Sequence, residues 1–73
     1  MEFKELLRYE RLREVRVYHL RVVAPGLELW RATEAPGAET ILLKEADLTS
    51  TAETLELLED IRRSLKAAGW TEV

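Results

Sequence analysis

A chain of 73 residues with a net charge of −3 and no cysteine is long enough for one domain and too short for a large core. Domains of this size bury roughly 60% of their unfolded surface and commonly rely on a disulfide, a metal or a partner subunit. The missing cysteines exclude disulfides and thiolate ligands, and a lone histidine, His19, offers no zinc-binding spacing, so self-association is the support that remains.

No run approaches the roughly 18 apolar residues of a membrane span, and the charged start MEFKELLRYERLR lacks a signal peptide's apolar region, which places the chain in the cytoplasm. Asparagine and glutamine are absent and arginine outnumbers lysine by eight to three, the bias of a thermophile's protein or of a GC-rich genome. Residues 1–31 carry a balance of +2 and residues 32–73 one of −5. The negative total disfavours tight nucleic-acid binding, which depends on neutralising phosphates.

In chain order, Phe3, Leu6 and Leu7 fall on one helical face, with Glu2 and Glu5 early and Arg8 and Arg11 late, which predicts a short N-terminal helix over residues 2–12. EVRVYHLRVV, residues 14–23, reads as a strand that places Val15 and Val17 on one face and Tyr18, Leu20 and Val22 on the other. Ala24-Pro25-Gly26 is a turn signal, with Pro presetting φ and Gly permitting φ > 0. Residues 27–33 (LELWRAT) form a second strand, and Ala35-Pro36-Gly37-Ala38 a loop to a third over residues 39–43 or a little beyond. Such short connections make neighbouring strands antiparallel. All three strands are apolar on both faces, whereas an antiparallel sheet with one wet face alternates apolar with polar.

Ser50-Thr51-Ala52-Glu53 matches a capping box. Leu55, Leu57, Leu58, Ile61, Leu65 and Ala68 follow as one broad apolar face, and Glu59 with Arg63 makes a favourable i,i+4 pair. Gly69 suits the C′ position, and Trp70 then meets Leu65 in a Schellman motif. Residues 70–73 remain as a tail that can form a last strand at the sheet edge.

The predicted order is α-β-β-β-α-β. It reads as an α+β single domain, in which a three- or four-stranded antiparallel sheet packs on a long C-terminal helix, with a short N-terminal helix beside it. The long helix covers one sheet face. The short one is too narrow to cover the other, which points to a second subunit related by a two-fold axis and to an interface drawn from Val15, Val17, Leu27, Leu29, Trp30, Ile41 and Leu43.

Signals for chemistry are sparse. His19 lacks a neighbouring nucleophile or orienting carboxylate in any recognised pattern and reads as an interface or partly buried histidine. The run Glu45, Asp47, Glu53, Glu56, Glu59 and Asp60 fails calcium-loop spacing and reads as solvated surface. Each glycine is explained by a turn or a cap, so no phosphate-binding loop is present. No catalytic residue, metal ligand or cofactor site is assigned. The series Arg8, Arg11, Arg13, Arg16 and Arg21, interleaved with Tyr9 and Tyr18, supplies the alternative of an RNA- or DNA-binding module, since guanidinium groups and aromatic rings together grip single strands. Glu10 and Glu14 interrupt that series.

Residues 48–61, LTSTAETLELLEDI, with a polar turn, a threonine and an acidic-apolar helix start, resemble the corresponding segment of HicB-like antitoxin proteins and related small bacterial proteins. The resemblance implies a protein-binding module that forms homo-oligomers and, in the antitoxins, one that occludes a small RNA-cleaving toxin. Residue patterning and resemblance together give the expectation of a non-enzymatic interaction protein, dimeric in its simplest form, with a further protein partner open to it.

Overall fold

The computed structural model describes residues 3–73. Strands β1 (Lys4–Arg11), β2 (Glu14–Val23), β3 (Gly26–Glu34) and β4 (Ile41–Leu48) form an antiparallel meander; helix α1 (Thr51–Ala67) then crosses the sheet, and β5 (Thr71–Glu72) returns beside β1. The strand order is β4-β3-β2-β1-β5. The α+β character matches the sequence reading, but the sheet has five strands instead of three or four, and among the described residues there is no N-terminal helix. Residues 4–11 are a strand between β2 and the short β5, and Glu2 lies outside the described residues.

A bulge explains the error. Register between β1 and β2 shifts between Glu5 and Leu7, which leaves Leu6 as the extra residue. Both leucines then serve the same core, Leu7 buried and Leu6 partly so. An inserted residue breaks the two-residue period of a strand. Phe3, Leu6 and Leu7 therefore acquire a helix-like spacing without forming a helix.

β2 occupies residues 14–23 as read from the sequence, and β3 adds one residue at each end. Gly26 is required for a different reason from the one expected. Its φ is not positive; a Cβ there would stand 2.7 Å from the carbonyl oxygen of Leu48. β4 runs on to Leu48, and its own bulge opposite Leu29 and Trp30 makes Glu45 the extra residue.

α1 is capped at both ends by the residues that the sequence points to, with the capping box formed in its Ser50 half and the Glu53 carboxylate turned to Thr49. Ser50 Oγ accepts from the Glu53 N–H at 3.1 Å, while the Glu53 carboxylate takes the Thr49 hydroxyl at 2.9 Å. At the far end Trp70 N–H donates to the Leu65 carbonyl and Gly69 N–H to that of Lys66, with Gly69 at φ +89°, completing the Schellman motif.

One face of the sheet packs on α1. Leu7, Tyr9, Tyr18, Leu29 and Leu48 from four strands meet Leu65 and Trp70, with Leu57, Leu58 and Ile61 packed against them. Leu29 is wholly buried. Among the described residues the opposite face carries no helix, and the chain closes its centre with its own side chains. Phe3 lies edge-on to the rings of His19 and Trp30, at 6.0 and 5.9 Å between centroids, while Val17 and Ala32 pair across β2 and β3 and are buried.

Candidate interaction surface

The seven residues expected to form one interface separate into three groups. Leu27 and Leu29 lie under α1, in or against the core. Val15, Val17 and Trp30 stand on the helix-free face, where β2 and β3 register Val17 with Ala32 and His19 with Trp30. Ile41 and Leu43 register with Thr33 and Arg31, on the helix side but outside the core cluster, and are 57% and 49% exposed. The bulge at Glu45 separates them from Leu27 and Leu29, a division that alternation within single strands does not reveal.

The exposed apolar surface instead gathers at one edge. Ile41, Leu42 and Leu43 are consecutive, each about half exposed, and Leu42 stands on the opposite face from its two neighbours. They begin β4, which pairs only with β3 among the described strands and ends the sheet on that side. The backbone N–H and C=O groups along its outer side therefore have no ladder. β5, at the other edge, is two residues long and offers little to pair with.

Protection of the β4 edge is confined to its second half. Lys44 forms ion pairs with Asp47 at 3.1 Å and Glu28 at 3.6 Å, and the hydrogen bond to Asp47 raises the Lys44 pKa above its ordinary value. The bulged Glu45 is held by Arg31 at 3.1 Å. Charges and bulges of this kind blunt an edge against pairing. Ile41 to Leu43 carry neither device.

The arginine series is scattered over the fold. On the helix-free face, Arg8 hydrogen-bonds Glu5, which holds that carboxyl below its usual range, and Arg21 lies over the Phe3 ring with its guanidinium 3.8 Å from Glu28. On the helix side, Arg11 and Arg16 both lie over the Trp70 indole, at 4.7 and 4.5 Å, and Arg11 also donates to the Ala68 carbonyl. Arg13 is exposed in the β1–β2 turn. Four of the five are thus engaged within the chain, and no continuous basic strip results.

His19 sits beside Phe3 with a buried Nδ1 that has no hydrogen-bond partner among the described residues. Trp30 donates its indole N–H to Glu28 at 3.1 Å. Among the described residues no group of three or more His, Asp or Glu is placed to hold a metal ion, and no helix is long and apolar enough to cross a membrane. A groove of about 530 Å³ between α1 and β5 is lined by Tyr9, Arg62, Lys66, Trp70 and Glu72, but Glu72 is already shared by the Tyr9 hydroxyl and Arg62. The 48–61 segment serves local structure: Leu48 and Thr54 are buried, and Ser50 caps the helix. No protein family, curated protein or solved structure matches the chain.

Proposed function

We propose that the chain is a non-catalytic interaction module that self-associates, with the outer edge of β4 as its contact surface. One observation carries the reading: three consecutive aliphatic residues, Ile41, Leu42 and Leu43, stand half exposed on an edge strand with no further strand beside it among the described residues. An edge of that composition is a template for another strand, and association would bury apolar area while completing backbone hydrogen bonds. The helix-free face is a weaker candidate, because Phe3 already packs over its aromatic residues and Val17 and Ala32 are already buried.

Light scattering across a concentration series tests the reading. Mass rising from one chain toward two or more is expected. A mass of one chain at every concentration up to millimolar would end it.

A further inference from the structure

We infer that the occupant of the β4 edge is a second copy of this chain, paired antiparallel about a two-fold axis at Leu42 to give one continuous ten-stranded sheet. This inference rests on the proposed self-association and specifies its partner and register. In a two-fold pair, residues that face one another lie on the same side of the joined sheet, so only registers centred on a residue keep both helices on one face. The sequence ILLKEADL discriminates among these.

Centring on Lys44 or Glu45 sets like charges against each other, which destabilises a pair. Centring on Leu43 puts Ile41 opposite Glu45 and Leu42 opposite Lys44. Centring on Ile41 puts Leu42 opposite Thr40 and Leu43 opposite Glu39. Centring on Leu42 alone pairs all three aliphatic residues with aliphatic residues, Leu42 against its own copy and Ile41 of each chain against Leu43 of the other, and sets Thr40 opposite Lys44. The helix side of the seam then holds two isoleucines and two leucines, on the surface that α1 leaves uncovered. The nearest like-charge approach, Glu39 to Glu45, is eased because Arg31 already holds Glu45.

The contact engages about five residues per chain, against roughly 20–30 a side in a standard interface. Micromolar rather than nanomolar association follows.

The test uses the full chain, whose lack of cysteine makes an engineered thiol unique. Residues directly opposite in an antiparallel pair have Cα atoms roughly 4.5–5.5 Å apart, inside the range of a disulfide. Under diamide, which accepts the two hydrogens of the thiol pair, Leu42→Cys is expected to form a covalent dimer readily, and Ile41→Cys, which faces Leu43, several-fold more slowly. Leu42→Lys places two ammonium groups opposite each other and is expected to weaken association about tenfold, while its far-ultraviolet circular dichroism matches the parent. Val15→Lys, on the helix-free face, is expected to leave association unchanged. A parent protein that dimerises while Leu42→Lys has no effect and Leu42→Cys fails to cross-link would overturn the inference and leave self-association standing. Dimerisation abolished by Val15→Lys would transfer the contact to the helix-free face. A parent that stays monomeric would overturn both.

Discussion

The hydroxyl of Tyr9 lies 3.2 Å from the carboxylate of Glu72, so the first strand of the sheet is tied to the last across 63 positions of chain. Tyr9 is buried, and both its burial and the Glu72 carboxylate raise its pKa. The fold therefore favours the neutral phenol. Its contribution to stability is fully present below the unfolded value of about 10 and is lost as pH rises through the higher folded value. Tyr9→Phe is expected to cost about 1 kcal/mol at neutral pH and to flatten the loss of stability above pH 10. Urea titrations of both proteins from pH 7 to 11 measure the two effects.

Gly26 has no room for a methyl group, because the Leu48 carbonyl oxygen belongs to backbone at the end of β4. Gly26→Ala is expected to destabilise by about 1–3 kcal/mol, the usual penalty of overpacking. Amide shifts around Leu48 and the start of α1 should move with it. A neutral result in chemical denaturation would show that the β3–β4 pairing yields more easily than the geometry indicates.

Leu12 adopts φ +56° in the β1–β2 turn and is 96% exposed, so its side chain gains almost no burial in exchange for a strained backbone. The left-handed conformation costs an L-residue roughly 1–2 kcal/mol, and asparagine tolerates it better. Leu12→Asn is expected to stabilise by about 0.5–1 kcal/mol, read as a higher midpoint in urea with an unchanged slope.

Leu29 and Leu43 separate the core from the edge. Truncating the wholly buried Leu29 to alanine is expected to cost about 2–5 kcal/mol. Leu43→Ala is expected to change the stability of the dilute chain by less than about 1 kcal/mol, because half of its side chain already meets water. The same substitution should weaken association. Denaturation at two protein concentrations distinguishes the effects, since only association makes the midpoint depend on concentration.

Legibility in the sequence followed the locality of the signal. α1 was readable because Ser50, Glu53, Gly69 and the leucine spacing act within a few residues of one another, and β2 and β3 because Pro25 and Gly26 punctuate them. β1 was misread because the bulge at Leu6 gives a strand the spacing of a helix, and no neighbouring residue marks it. The division of the apolar residues also required tertiary information. Ile41 and Leu43 share the helix side of the sheet with Leu29, yet Leu29 is wholly buried in the cluster with Leu65 and Trp70 and they lie outside it. Trp70 was legible as a cap residue but not as the common seat of Arg11 and Arg16, which approach it from different strands.

Hydrogen–deuterium exchange of the β4 amides, followed as protein concentration rises from low micromolar to millimolar, tests the central claim most directly. The account predicts that the amides on the outer side of residues 41–43 become protected as concentration increases, while those buried in the β2–β3 ladder stay equally slow throughout. Exchange in residues 41–43 that is fast and independent of concentration would contradict it.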